Sequence, residues 1–312
     1  MSDAPAAGRG RAFALMAGAV AVGSVSFTLI ELILRDLTPN ALAAGRVVVS
    51  AIAFVTVVAL QPRRRRPIEP RDRVRVVLCG LGGSAGFHLL FSAGQDRVTV
   101  AVSAVVLGTM PAMVAALEWL FLHHRLTRSH AVGLVLSVLG IVVISWGSGG
   151  DGASTPLGIA LVAASTLVWA SVTVATRSIA DRYDAWWLNT PGTVLGASVM
   201  LVVVAPRMGE FGGLSVGGWL MLVWLGAVGS AFVYAALTGA MQVLSATTTA
   251  SLATLVTPVS IVVAWAVLDE PPTVASVVGS AVVVAGVVFV TREGPAPAPL
   301  RPAAAAGASS DR

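Results

Sequence analysis

Four ionisable side chains stand inside long apolar runs, where chemistry is expensive and therefore informative. Arg46 sits in ALAAGRVVVSAIAF (41–54), Glu31 in FTLIELIL (27–34), Glu118 in MVAALEWLFL (113–122) and His88 in GFHLLF (86–91). A guanidinium carries a permanent charge and a planar fork of donors that suits carboxylates and other oxyanions. A carboxylate or imidazole held away from water can take up and release a proton near neutral pH. Each also has a plainer reading. Arg46 and Glu31 could form a structural ion pair, since their depths match. Glu118 could be an interfacial carboxylate facing a basic loop, and His88 a hydrogen-bonded core residue. An arginine near the centre of a membrane helix costs roughly 2.5–3.5 kcal/mol on insertion scales, so Arg46 must face protein or water in either case.

Aromatic and hydroxyl residues add candidates for a binding wall. Trp169 lies too deep in its run to serve as an interfacial anchor, whereas Trp186, Trp187 and Trp219 fit such a belt. Tyr234 and Ser24 also fall within apolar runs. Pro111 and Pro258 each remove a backbone donor from mid-run and favour a kink. Thr109 and Thr257 stand beside them, where freed carbonyls would line a cavity. Gly82-x3-Gly86 and Gly226-x3-Ser230 permit close helix packing.

Enzymatic chemistry finds little support. There is no Gly-x-Ser-x-Gly elbow, no His-Glu-x-x-His and no Walker loop in the chain. Cys79 is the single cysteine, and the three histidines within 123–130 lack acidic or thiol neighbours, so no cofactor or metal site is expected.

These residues need elements to hold them. The chain is 56% hydrophobic and 11% charged, with mean hydropathy +0.86, far on the membrane side of soluble averages. Ten apolar segments emerge, at about 12–34, 39–60, 74–93, 99–121, 129–147, 157–176, 186–205, 218–239, 247–267 and 274–291. Each approaches the roughly 20 residues that span a bilayer as a helix. Valine is common, but lipid leaves the backbone no partner except itself, so helix wins over isolated strand. The reading is an all-α integral membrane protein of ten transmembrane helices. A short tail (1–11) precedes it, without the marks of a cleaved signal, and a Pro/Ala-rich tail (292–312) that reads as disordered follows.

The arginines set the orientation. Loop 61–75, QPRRRRPIEPRDRVR, gathers seven of the chain's twenty basic residues, all arginine. With the N-terminus cytosolic, sixteen of the twenty fall on cytosolic segments, a strong positive-inside bias. The loop reads as a topological anchor, with contact to anionic membrane lipid as an alternative. Nucleic acid is not an expected partner, because no base-reading module accompanies the arginines. Both termini would be cytosolic.

Shifted by about 147 residues, the chain begins to match itself. Trp169-Ala170-Ser171 falls on Val22-Gly23-Ser24, and Pro258 on Pro111. With the shift reduced to 146, Thr273, Gly279 and Gly286 fall on Thr127, Gly133 and Gly140. The units are 12–147 and 157–291, five helices each. An odd number of spans makes the second unit enter the membrane from the opposite side. Inverted repeats of this kind recur in secondary transporters, with the site near the midplane between halves.

These features together resemble the drug/metabolite transporter superfamily, in particular its EamA-type ten-helix members. The residues that carry the likeness are TPNALAAGRVVVSA (38–51), LVWASV (167–172), and two copies of A-x17-P followed by T-x5-G-x6-G, the second with Glu270 in LDEPPT. Val22 replaces the usual first-helix Trp, and His124 replaces a usual Glu. The resemblance implies a gradient-driven exporter of small metabolites, amino acids or drugs, as monomer or homodimer, in the cytoplasmic membrane. It also implies eight helices around a central cavity, with the fifth and tenth outside. An uptake permease of the same fold is the alternative, and an integral-membrane enzyme a remote one. By position, the expected substrate-binding residues are Trp169, Tyr234, His88, Thr109, Thr257 and Ser24, with Arg46, Glu31 and Glu118 for coupling or gating.

Overall fold

The computed structural model describes residues 6–61, 67–122, 154–244, 246–269 and 271–292, with further helical residues scattered between 128 and 143. Among the described residues all regular structure is helical. Helix α1 is Ala6–Ile33 and α2 is Pro39–Leu60. Helix α3 runs Pro70–Gln95 through a π turn at Gly82–Gly86. Helix α4 comprises Val100–Gly108 and Met110–Leu122. Helix α5 is Pro156–Arg177, and α6 is Ala185–Val204, followed by a 3-10 stretch Ala205–Gly213. Helix α7 runs Val216–Ala240 through a π turn at Ala227–Phe232. Helix α8 comprises Ala246–Ala253 and Val256–Leu268, and α9 is Val274–Arg292.

Seven of these helices are long and apolar enough to cross a bilayer, against the ten expected from sequence. The difference has local causes. Segment 129–147 falls largely outside the described residues, as do His124 and Glu270. The segment expected at 247–267 is helical but divided at Thr254–Leu255. The described apolar stretch of α9 is Val277–Gly286, short of a full span by itself.

Helix starts follow local chemistry. Pro39, Pro70 and Pro156 occupy first-turn positions, where a missing N–H costs nothing. Thr99, Thr155, Asp184 and Ser215 accept hydrogen bonds from first-turn amides of α4, α5, α6 and α7. Helix α8 ends at Asp269 in the left-handed region, φ 54°. A β-branched side chain is poorly tolerated there. Asp269→Val is expected to lower stability by about 1–2 kcal/mol and Asp269→Gly to leave it unchanged or raised, by thermal unfolding in detergent.

The packing exchanges the two sets of helices. Helix α3 lies on α5 and α6, and α7 lies on α1 and α2. Helix α4 meets α5, and α8 meets α1. Helices α2 and α6 pair with each other, as do α4 and α8, the first half of each meeting the second half of the other. This is the pattern of a two-repeat architecture in which each half completes its partner. Helix α9 packs on α4 and α8 and leaves Val277, Val278, Val284 and Val288 exposed, a surface suited to lipid. Gly140 of the fifth segment fits against Gly279 and Val283 of α9.

Polar networks tie the two halves at each end of the bundle. At the end holding the α2–α3 and α5–α6 connections, the buried Asp72 carboxylate accepts from Arg182 Nη1 at 2.8 Å and Tyr183 OH at 2.9 Å. Tyr183 OH in turn accepts the Glu69 amide at 3.1 Å. At the opposite end, Glu210 accepts from the Thr38 amide at 2.9 Å and the Thr38 hydroxyl at 2.8 Å, next to the start of α2.

Candidate functional site

Where the two sets of helices meet, α1–α5, α7 and α8 enclose a cavity of about 120 Å³. Its wall is largely apolar and rich in rings. Phe27, Phe87 and Phe91 stack edge to face and face to face, with centroids 5.3–5.6 Å apart. Trp169 lies 5.1 Å from Phe87 and 4.6 Å from Tyr234. Such offset ring pairs add stability beyond the area they bury.

The polar groups of the cavity are held by the two π turns. An inserted residue in a π turn breaks the regular i to i+4 ladder and releases backbone acceptors. In α3 the Gly83 carbonyl accepts Tyr234 OH at 2.6 Å. In α7 the Leu225 carbonyl accepts Ser230 Oγ at 2.9 Å, and that hydroxyl receives Arg46 Nη2 at 3.3 Å. The turns occupy matching places in the two halves: Gly83-Ser84-Ala85 and Gly229-Ser230-Ala231 have the same sequence 146 residues apart. His88 and Tyr234 are related by the same interval and touch, Nε2 to OH at 2.9 Å. The local register in α3 and α7 is therefore 146 rather than the 147 expected from sequence.

One proton assignment follows. A carbonyl can only accept, so the single Tyr234 hydroxyl hydrogen goes to Gly83. His88 Nε2, the second neighbour of that oxygen, must then donate. The imidazole is held as its Nε2–H tautomer, and Nδ1 carries the lone pair. That Nδ1 is buried without a hydrogen-bond partner.

Arg46 is similarly incomplete. The residue is 4% exposed and reaches the cavity. Its Nε and Nη1 are buried with no partner. Each unsatisfied buried donor costs about 1–3 kcal/mol, more when charged. Glu31, the partner expected from depth, forms no ion pair with it; Ser230 takes the hydrogen bond instead. Ser230 had read only as a packing residue.

Of the residues expected to bind, Trp169, Tyr234, His88 and Thr257 line the cavity. Thr257 Oγ1 also donates to the Ala104 carbonyl across the α4–α8 contact at 3.0 Å. Thr109 is buried with its hydroxyl on the Val106 carbonyl at 2.7 Å, beside the cavity rather than on it. Ser24 donates to the Val20 carbonyl of its own helix at 2.8 Å, with the Val256 carbonyl of α8 a longer second acceptor at 3.4 Å. Among the described lining residues neither Glu31 nor Glu118 appears. Pro111 is the second residue of the second half of α4, directly after the break at Thr109, and Pro258 the third of the second half of α8, directly after Thr254–Leu255.

Sequence reasoning missed Phe27, Phe87 and Phe91. Their signal was present: Phe87 and Phe91 stand one helical turn apart and flank His88. A second, smaller pocket, about 30 Å³, is lined by hydroxyl and amide groups such as Thr173, Asn189, Thr193 and Thr238. Met110, Trp169, Tyr234 and Leu237 line both spaces and so form the partition between them.

The helices, seven of them long and apolar enough to cross a membrane, enclose this cavity where the two sets meet. The pattern of the EamA-like transporter family matches residues 10–146 and again 156–292. The chain therefore belongs to that family. It is 28% identical to an uncharacterised transporter of Archaeoglobus fulgidus, covering 89% of this chain and 98% of that one. It is 26% identical to the uncharacterised transporter YdfC of Bacillus subtilis, over 82% of this chain and 83% of the relative. A probable terminal-alkyne amino-acid exporter of Streptantibioticus cattleyicolor is 28% identical, over 80% and 83% of the two chains. One solved crystal structure matches with TM-score 0.67 at 18% identity, covering 90% of this chain and 96% of that one, a likeness of fold.

Proposed function

We propose that the protein is a secondary transporter that exports small metabolites, amino acids or drugs across the cytoplasmic membrane. Two inverted five-helix halves, near 12–147 and 157–291, alternate access to the central cavity, with both termini cytosolic and a proton or other gradient as the driving force. The observation that carries this reading is the position of the cavity. It lies where helices of both halves meet, and its floor is the Trp169–Tyr234 ring pair contributed by α5 and α7. Those two rings, with Met110 and Leu237, stand between the central space and the smaller hydroxyl-lined pocket. The exporter name of the Streptantibioticus relative supports the direction of flux. The arginine-rich α2–α3 connection supports the orientation.

The test is counterflow in proteoliposomes preloaded with a panel of apolar and aromatic metabolites. Accumulation of at least one labelled compound above protein-free vesicles is expected. Trp169→Ala should reduce that accumulation by about ten-fold per folded molecule, because the change removes a wall of the cavity; the ring also packs on Phe87 and Tyr234, so the yield is measured alongside. A panel that equilibrates no faster than through protein-free vesicles, or an unaltered rate in Trp169→Ala, defeats this account. Fluorescent or protease-accessible tags on both tails should report the cytosolic face.

A further inference from the structure

At the end of the bundle that holds the α2–α3 and α5–α6 connections, α1, α6 and α7 leave a surface groove of about 220 Å³, larger than the central cavity. It shares no lining residue with that cavity or with the hydroxyl pocket. Behind it, Asn189 Nδ2 of α6 donates to Thr238 Oγ1 of α7 at 3.0 Å, and both residues line the hydroxyl pocket instead. Arg11 and Gln242 are exposed at the mouth of the groove. We infer that this groove holds the head of a membrane phospholipid that carries a primary ammonium. Arg11 receives the phosphate and Asp184 the ammonium. The assignment depends on the helices crossing a bilayer, and not on what the central cavity carries.

Three observations support it. First, the groove is graded in polarity along the membrane normal. Arg11, Asp184 and Gln242 stand where α1 and α6 begin and α7 ends. Leu15 lies one turn deeper on α1, and Phe232 precedes Gln242 on α7 by a length of about 15 Å at 1.5 Å per residue. A phospholipid carries the same gradient from head to chain. Second, the groove is built to stay open at the head and closed toward the interior. Ala12, Ala235 and Ala236 line it with little bulk. A Cβ on Gly239 would meet Leu15 Cδ1 at 3.3 Å and Ala185 Cβ at 3.9 Å, so the three helices converge at the back wall. Phe232, the last residue of the α7 π turn, closes the deep end, its ring 3.2 Å from the Cβ position of Gly18. Third, one cation and one carboxylate share the rim: Arg11 on α1 and Asp184 ahead of α6. Asp184 Oδ1 accepts the Trp186 and Trp187 amides at 3.0 and 3.3 Å, which fixes the carboxylate in place. A carboxylate accepts about four hydrogen bonds, so a cap does not exhaust it.

The rim chemistry selects among heads. A guanidinium donates in a fork that suits a phosphate. A head with a phosphate and no cation would set its negative charge beside Asp184 without compensation. A quaternary ammonium brings the charge but has no N–H to give the carboxylate. Trp186 completes the wall beside Asp184, its ring held against Phe54 with centroids 5.3 Å apart. An indole at headgroup depth offers an apolar face and a polar edge.

Native mass spectrometry of the full chain in detergent tests the inference with three lipids of identical acyl chains: phosphatidylethanolamine, phosphatidylcholine and phosphatidylglycerol. The wild-type protein should retain phosphatidylethanolamine with a Kd about ten-fold lower than either of the others. Arg11→Gln, at an exposed position, should weaken all three, because it removes the phosphate contact they share. Asp184→Asn keeps a side-chain oxygen to cap α6 and removes the charge. It should bring phosphatidylethanolamine down to the level of phosphatidylcholine. Leu15→Trp, which fills the lower groove, should reduce retention of every lipid. Equal retention of the three by the wild type overturns the inference without any variant. A preference for phosphatidylethanolamine that survives in Asp184→Asn overturns it as well. Deletion of residues 2–5 asks whether the chain's own first residues occupy the groove. Unchanged phosphatidylethanolamine binding after that deletion supports the lipid, and a ten-fold or greater rise, marked here as about that size from the loss of a competing contact, assigns the groove to the tail and overturns it.

Discussion

Gly80→Leu and Gly192→Leu each prevent recovery of folded, monodisperse protein from the membrane. The two glycines mark the point where α3 crosses α6. A Cβ on Gly80 would stand 2.1 Å from Gly192 Cα and 2.6 Å from its carbonyl carbon. A Cβ on Gly192 would stand 2.3 Å from Gly80 Cα and 3.0 Å from the Val76 carbonyl oxygen. These neighbours are backbone, so no rotamer change relieves the clash; the helices must separate. Overpacking by side chains alone costs about 1–3 kcal/mol, and a backbone clash exceeds that. Membrane helices associate through close van der Waals contact without a hydrophobic drive, so a lost contact is poorly replaced. The opposite crossing, α7 on α2, is nearly as tight: a Cβ on Gly226 meets Val49 Cβ at 2.4 Å and the Arg46 carbonyl at 2.9 Å. Gly209→Leu is the control, since nothing lies within 4 Å of its Cβ position. Size-exclusion profiles and the temperature of half-aggregation in detergent are the measurements. Normal profiles for Gly80→Leu would show that the α3–α6 crossing is looser than described.

Asp72→Ala should have the next largest effect, a loss of about 2–4 kcal/mol of stability. The Asp72 side chain is 4% exposed and its Arg182 partner 35% exposed, so the pair is screened on one side only. Removing the carboxylate strands the Tyr183 hydroxyl and the inward face of Arg182 together. Asp72→Asn keeps one acceptor and should lose less. The same network carries a pH signature. Burial, and then the neighbouring Asp72 and Glu69 carboxylates, hold the Tyr183 hydroxyl above the ordinary tyrosine value of 10. The folded state therefore favours the protonated phenol. Its contribution is fully present below pH 10 and is lost as pH rises through the elevated value. Tyr183→Phe should lower stability at neutral pH and flatten the alkaline branch of a stability–pH profile in detergent. An alkaline branch as steep as wild type would place the titration elsewhere.

The residues that sequence reasoning placed well are those whose cost depends on the bilayer alone. Arg46, His88 and Trp169 are expensive or unusual at their depth, whatever their neighbours, and all three reach the cavity. Ser24 and Thr109 were chosen by their position in the repeat, and the shortest hydrogen bond of each hydroxyl goes to a local carbonyl. A short hydroxyl in a helix satisfies itself within one turn, and no pattern of residue types reveals that choice. Glu31 was chosen as Arg46's partner by depth along the helix axis. Depth leaves the rotation of each helix open, and Ser230 of the other half took the place.

The amino-acid sequence by itself determined the class of molecule, the membrane class, the helical state and the two repeats. Hydropathy, backbone self-satisfaction and helix length act on each segment separately, so they can be read one segment at a time. The tertiary structure alone decided which glycines touch, how Tyr234 sets the tautomer of His88, and why Arg46 is left with open donors. Those outcomes depend on crossing points and rotations between helices from opposite halves, some 146 residues apart along the chain. They arise from packing, which no single segment encodes.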